Sequence, residues 1–486
     1  MRIPEKGQDR DSIFETLEDY RATDVDWRSG RTWGYIYDPG KEAVEVGKQA
    51  YMMFLSENAL DPTVFPSLAR IETELVAMAA AHVGGDKQVV GNFTTGGTES
   101  IMLAVKTARD SFREKKPEVT RPEMILPETA HAAFYKAAHY MDVTPVLTRV
   151  DPETFKADAD AVKEAITPNT ILLVGSAPSY AHGVIDPISE LGQLAEDRGL
   201  LFHVDACMGG FLLPYFRRLG EAVPEFGFSV AGVTSLSMDL HKYAYCPKGA
   251  SLVLYRDKGL RRHQIFCCSR WAGYTVVNPT LGSTKPGGPL AAAWAVLRFI
   301  GDDGYLDLAG KKLECMKKLA AGVERIDGLR LQGRPEMSLV SIASDSIDVF
   351  YLIDAMKDRG WYIQPQLRFE SSEANIHVSV NASNVRWVDD FLQDLEECVE
   401  AVRGKEMVDA APMVLGILGS LDPREVSDDK FGALLAMAGV EGTTLPTGMA
   451  EINGILNSLP VALRERLVGE FINELLTLEE SGDPES

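Results

Sequence analysis

No apolar run in this sequence approaches the roughly 20 residues needed to cross a bilayer, because charged side chains interrupt every hydrophobic stretch. A transmembrane segment is therefore not expected. CxxC pairs are missing too. The six cysteines fall at 207, 246, 267, 268, 315 and 398, and a bridge between the adjacent Cys267 and Cys268 would be strained. Free thiols in a reducing cytoplasm are the expectation. The N-terminal stretch MRIPEKGQDRDSIFETLEDY has no apolar centre of the kind a secretory leader needs. Basic residues are outnumbered, 49 against 71 acidic, for a formal charge of −22. That balance argues against nucleic acid as a partner and against adsorption to anionic membrane. A small anionic substrate stays possible, since a pocket can be basic on an acidic protein. Internal repeats and low-complexity tracts are absent.

What is present is an ordinary globular composition over 486 residues, with 45% hydrophobic side chains, 42 glycines and 25 prolines. The length suits two or three lobes. Residues 1 to about 40 read as polar and irregular, and a helix is expected from Ser67 as N-cap, with Leu68, Ile71, Leu75, Met78 and Ala79 on one face. Strands are expected near 89–90, 124–126, 171–174, 200–204, 232–236 and 251–255, separated mostly by helices near 98–116, 130–141, 158–167 and 187–199. Such alternation means a mainly parallel sheet covered on both faces. A long connecting helix is expected over 305–327, then a smaller α/β unit with strands near 338–343 and 375–380. The tail reads as helical, with a turn at Leu421-Asp422-Pro423 and disorder over the last six residues. The expected division is an N-terminal segment 1–65, a large domain 66–304, a small C-terminal domain 305–403 and a helical extension 404–486.

Three stretches carry chemistry. In Asn92-Phe93-Thr94-Thr95-Gly96-Gly97-Thr98-Glu99-Ser100 a strand ends, two glycines allow a tight turn and a helix begins. Free N–H groups and the helix dipole then make a phosphate site, with hydroxyls from Thr95 and Thr98; taken alone, the same residues also read as a plain turn and cap. Asp205, in His203-Val204-Asp205-Ala206-Cys207, falls at the carboxyl end of a buried strand, where open α/β sheets bind ligands. A carboxylate there calls for a cationic partner, such as a protonated ring nitrogen, or else caps a helix. A metal at His203, Asp205 and Cys207 is not expected, because no further ligand cluster accompanies them. Lys242 ends Ser235-Leu236-Ser237-Met238-Asp239-Leu240-His241-Lys242. By itself it reads as a surface lysine or as an imine-forming nucleophile. Taken in order on one lobe, phosphate cradle, strand-end aspartate and strand-end lysine are the set that pyridoxal 5′-phosphate requires. His131, heading a helix between the first two, is placed to stack on the ring.

These motifs resemble the sphingosine-1-phosphate lyase branch of the pyridoxal-phosphate-dependent group II decarboxylases. The likeness runs from about residue 28 to about 478. It is carried by Asn58 to Pro66, Thr95 to Ser100, Ala130 to Phe134, His182 to Pro187, His203 to Phe211 and His241 to Gly249. It implies the aspartate-aminotransferase-like (type I) α/β fold with a smaller C-terminal domain, and a homodimer with shared active sites. It implies Lys242 as the cofactor-bearing lysine, Asp205 on the ring nitrogen, His131 over the ring, and Thr95, Gly96, Gly97, Thr98, His241 and Thr284 as further cofactor contacts. Tyr37, from the neighbouring subunit, and Tyr180 would stand near the bond that breaks, with Asn58, the position of Asp61, and Lys248 toward a substrate phosphate. Two positions depart from the family pattern. Asp61 stands where lyases usually have a histidine, and Lys285 replaces an arginine, keeping the charge but losing the bidentate fork. The activity so implied is cleavage of a Cα–Cβ bond in a β-hydroxy amine; the rivals are amino-acid decarboxylation and, more remotely, a non-catalytic binding protein that keeps the fold.

Overall fold

The structure, a computed structural model, describes residues 2–405 and 448–477. Helix α1 (Arg10–Arg21) opens the chain, and α2 (Lys41–Met53) and α3 (Pro66–His82) follow. A helix in the first forty residues departs from the expectation of irregular chain. Asp9 caps it locally by accepting from the N–H groups of Asp11 and Ser12, and none of its side chains is buried. Helix α3 starts at Pro66 rather than after a Ser67 cap. Proline lacks the N–H that the first turn leaves unbonded, so it suits that position.

Seven strands then form the large sheet: β1 (Val90–Thr94), β2 (Glu123–Pro127), β3 (Thr144–Thr148), β4 (Thr170–Ser176), β5 (Leu201–Asp205), β6 (Ser235–Asp239) and β7 (Ser251–Tyr255). Their spatial order is β1-β7-β6-β5-β4-β2-β3. All run parallel except β7, which pairs antiparallel with both neighbours. Strands β4 and β7 are buried throughout, which is why they read as unbroken apolar runs. Helices α4 (Gly97–Lys115), α5 (Ala133–Met141), α6 (Ala159–Ala165), α7 (Ile188–Arg198) and α8 (Leu213–Arg218) connect the strands. β3 escaped the sequence reading because Pro145 interrupts it; proline is tolerated since β3 is an edge strand. β6 lies three residues later than expected, and that shift puts Asp239 at its carboxyl end.

A short helix, α9 (Lys258–Arg261), precedes a hairpin of β8 (Phe266–Cys268) and β9 (Val276–Asn278). The long helix expected at 305–327 is α10 (Gly287–Val323), kinked where Gly301 adopts φ 68°. It leads to a four-stranded antiparallel sheet in the order β10 (Arg330–Leu331), β11 (Leu339–Ala343), β13 (Asn375–Ser379), β12 (Gln364–Gln366), carrying α11 (Val349–Asp358) and α12 (Val388–Val402). The tail contributes α13 (Ala450–Ser458) and α14 (Val461–Leu475). Asp354 of α11 ties α13 down by accepting from the N–H groups of Met449 and Ala450 at 3.0 and 2.8 Å. The expected turn at 421–423 and the last six residues lie outside the described residues. All six cysteines are free.

Candidate active site

The parallel strands of the large sheet converge on one edge, and their ends line a single cavity of about 240 Å³. β1 runs out into Gly96, Gly97 and Thr98; β4 leads to Pro178 and Tyr180; β5 ends on Asp205; β6 ends on Asp239, with His241 and Lys242 in the turn beyond. His131, just ahead of α5, closes another side.

The head of α4 has no side-chain cap. Its first N–H groups therefore lack acceptors, and with the dipole they form an anion site at the cavity wall. The turn does not need two glycines for backbone reasons: Gly96 is extended at φ 167°. What requires glycine at 97 is close approach. A Cβ there would stand 2.6 Å from Cys207 Sγ and 2.9 Å from an Asp239 oxygen. Thr95 was expected to offer its hydroxyl to phosphate, but hydroxyl and N–H both donate to Glu99 Oε2, at 2.8 and 2.7 Å. It braces the loop from outside the cavity.

Asp205 Oδ1 accepts from the N–H of Cys207 at 3.0 Å and from the Ser237 hydroxyl at 3.4 Å. Its Oδ2 has no partner among the described residues. His131 accepts from the N–H of Ala133 through Nδ1 at 3.1 Å, and His241 likewise from Ala250 at 3.2 Å. Both rings thus carry their proton on Nε2, and burial lowers both pKa values. Burial alone would also lower that of Lys242. Asp239, at 2.8 Å from Nζ, outweighs it, with smaller help from Cys207 and Tyr37, and the lysine is held well above its ordinary range. His203, buried within β5, spends its ring nitrogens on Ser235 and Ser237 at 2.9 and 3.2 Å. Among the described residues no group of His, Cys, Asp and Glu could hold a metal.

Beyond His241 lies a second chamber of about 280 Å³ that holds Tyr37 and Lys248. Tyr37 packs edge-on against Tyr243 with centroids 5.0 Å apart, and its phenol feels Lys242 and Asp239. Within one chain, Tyr37 thus stands near Lys242. Lys248 Nζ donates to the Tyr35 carbonyl at 2.7 Å and lies over the Tyr37 ring. Tyr180 donates its hydroxyl to Gln364 Oε1 at 2.8 Å.

Like Thr95, the residues Asn58, Asp61, Thr284 and Lys285 line neither chamber. Asn58 Oδ1 accepts from the N–H of Leu60 at 3.0 Å and from Thr284 at 3.4 Å. Asp61 caps its own turn, accepting from the N–H and hydroxyl of Thr63 at 2.8 and 2.6 Å, which lowers its pKa. Lys285 does not face substrate either. It forms a buried ion pair at 2.5 Å with Glu72, whose carboxylate also accepts from the side chain of Asn92 and the N–H of Phe93. Conversely, sequence reasoning missed Asp239 and Gln364. Asp239 had a signal, a carboxylate at a strand end three positions before Lys242; Gln364 had none.

The cavity fits pyridoxal phosphate on its own chemistry: uncapped N–H groups for a phosphate, an unpartnered carboxylate oxygen for a ring nitrogen, and an amine for an aldehyde. The family comparisons agree. The model of the pyridoxal-dependent decarboxylase conserved domain matches residues 54–343, and a C-terminal HTH domain of pyridoxal-dependent enzymes matches 412–474. A sphingosine-1-phosphate lyase of Arabidopsis thaliana is 44% identical over 82% of this chain and 74% of its own. A Pyrococcus furiosus protein named probable L-aspartate decarboxylase is 30% identical over 75% of this chain and 95% of its own. Among solved structures, the sphingosine-1-phosphate lyase of Burkholderia pseudomallei superimposes with a TM-score of 0.79 at 35% identity, covering 87% of this chain and 97% of its own.

Proposed function

This chain belongs to the pyridoxal-dependent decarboxylase family, and from that premise we propose that it is a carbon–carbon lyase acting on a phosphorylated β-hydroxy amine of the sphingosine-1-phosphate type. Relatives named for that activity support the reading. The observation that carries it over amino-acid decarboxylation is the charge of the cavity. Among the described residues its wall holds two carboxylates, Asp205 and Asp239, one lysine and no arginine, so an α-carboxylate at the cavity would have only the cofactor's own lysine beside it, whereas a phosphate farther along the substrate reaches Lys248 in the adjoining chamber.

The cofactor, when bound, supplies an electron sink for the bond that breaks. Lys242 would hold it through the amine, Gly96, Gly97, Thr98 and His241 would hold its phosphate, Asp205 would keep its ring nitrogen protonated, and His131 would cover the ring. Tyr180 and Tyr37 flank the substrate's hydroxyl. Burial raises both phenols, Tyr180 to about 12, so at neutral pH each is a hydrogen-bond partner rather than a resting base. The remaining acceptor for the hydroxyl proton would be Lys242, as the neutral amine that the substrate displaces from the cofactor. Lys248 waits in the next chamber for the substrate phosphate.

The working unit is a homodimer in the cytoplasm. Met52, Met53, Leu55, Phe266, Trp271 and Val277 are exposed on two adjoining segments, tied together through Asn58 and Thr284, and such a patch suits a second copy. Free cysteines suit a reducing compartment, and no helix of the described residues is long and apolar enough to cross a membrane. The test offers phosphorylated β-hydroxy amines and α-amino acids in parallel. Release of a fatty aldehyde from the former supports the lyase; CO₂ from the latter, without aldehyde, establishes the decarboxylase instead.

A further inference from the structure

Asp239 lines the cavity, yet the chemistry above gives it no task. It is 2% exposed, and its Oδ1 has no hydrogen-bond partner. Compensation for burying this carboxylate rests mainly on Oδ2, which lies 2.8 Å from Lys242 Nζ and 3.7 Å from His241 Nε2, with a smaller contribution from the Ser251 hydroxyl. The head of α4 comes down directly on it, which is what excludes a side chain at 97. A buried carboxylate losing its only close cation is costly.

We propose that Asp239 is a positioning residue for cofactor loading: it holds the Lys242 ammonium at the head of α4 until the cofactor arrives, and so makes loading wait on loss of one proton. The inference rests on Lys242 being the cofactor lysine. The step balances as follows. The ammonium gives one proton to solvent; the freed electron pair bonds to the aldehyde carbon of pyridoxal phosphate; a C=N bond replaces C=O, and the oxygen leaves as water. An ammonium cannot make that attack, so whatever keeps the lysine protonated slows loading. His241 remains beside the carboxylate once the lysine has moved away.

Other groups also face Lys242. Cys207 and Asp205 approach from the end of β5, His131 from the head of α5, Tyr180 from beyond β4, Tyr37 from the N-terminal segment and Lys248 from the loop after the lysine. Only Asp239 is in ion-pair contact with it among the described residues.

The experiment mixes cofactor-free protein with pyridoxal phosphate from pH 6 to pH 10 and follows the visible absorbance of lysine-bound cofactor. Asp239→Asn is expected to load about tenfold faster at pH 7, its rate profile displaced about one pH unit toward lower pH. An undisplaced profile, or slower loading, overturns the role. A wild-type measurement covers the case in which the variant fails to fold. Lys242 in the cofactor-free protein is labelled with an amine reagent and quantified by peptide mass spectrometry. Its rate should still climb about tenfold per pH unit at pH 10 and above, where an ordinary lysine levels off; a plateau below that overturns the proposal. Borohydride reduction and peptide mapping separate the two failures. A cofactor fixed on another lysine sinks the assignment of Lys242, whereas a label on Lys242 with an undisplaced rate profile sinks only the role of Asp239.

Discussion

Lys242 and Lys248 share one loop and are held in opposite protonation regimes. The first has a carboxylate at 2.8 Å; the second has only the Tyr35 carbonyl and the face of Tyr37. Burial, aided by repulsion from Lys242, brings Lys248 down to about 8. Its charge is present below that value and lost as pH rises through it. For a phosphorylated substrate KM should therefore increase from about pH 8 upward while kcat holds, and an unphosphorylated analogue should show no such rise. A KM that stays flat from pH 7 to pH 9.5 would place Lys248 away from the phosphate. Lys242→Ala should remove both turnover and borohydride-fixed cofactor and, by leaving the buried Asp239 carboxylate without its ion pair, lower the unfolding midpoint, while the far-ultraviolet circular dichroism below that midpoint is kept. Fixation on a different lysine in that variant would refute the assignment.

Two elements set the geometry of the cavity. The first is the head of α4, where neighbouring glycines have different reasons to be glycine. A Cβ on Gly96 would meet only His241 Cε1 at 3.6 Å, an ordinary contact, whereas one on Gly97 would collide with Cys207 and Asp239. Gly97→Ala should lower stability by about 1–3 kcal/mol and weaken cofactor retention. Gly96→Ala should do neither, and denaturant titrations of the two variants provide the comparison. The second element is β12 of the small sheet, which reaches the cavity through Gln364. Its carbonyl oxygen accepts the Tyr180 hydroxyl, and Gly34 leaves it room, since a Cβ there would stand 2.9 Å from Oε1. Gln364→Leu frees the phenol and should reduce kcat about tenfold or more with little change in KM. An unchanged kcat would mean that Tyr180 needs no holder. Strand–helix alternation made β2, β4, β5 and β7 legible in the sequence, because strands buried on both faces of a sheet are short apolar runs. Gln364 was not legible, because the contact joins residues that no local period connects.

At the scale of the molecule, burial has locked several histidines neutral. His182 and His203 are pushed down to about 4 and His377 to about 3, in each case mainly by desolvation. Unfolded, each would titrate near 6.5. The unfolded chain therefore binds more protons between those values, and stability is lost as pH falls from about 6.5 toward 4. Each histidine contributes about 2 kcal/mol to that loss by pH 5. Buried Asp186 works in the other direction, since its pKa is raised to about 6, but it is one group against three. Thermal unfolding at pH 7 and pH 5 should show the lower midpoint at pH 5; equal midpoints would mean that these rings are protonated in the fold.

The sequence by itself determined the order of the candidate residues along the chain: the glycine turn at 96–97, then His131, then Asp205, then Lys242, each near the end of a strand or the start of a helix. Local periodicity and turn chemistry suffice for that, because they place residues relative to their own element. The tertiary structure decided which of those residues face one another. It turned Thr95 toward Glu99 and Lys285 into an ion pair with Glu72, left Asp61 capping its own turn, and brought Tyr37 beside the lysine of its own chain. It also set Asp239 against Lys242 by starting β6 three residues later than its apolar run suggested. The local partners, Glu99, Thr63 and Lys242, depend on where each turn and strand ends, whereas Glu72 for Lys285 and Lys242 for Tyr37 are settled by packing among residues far apart in the chain.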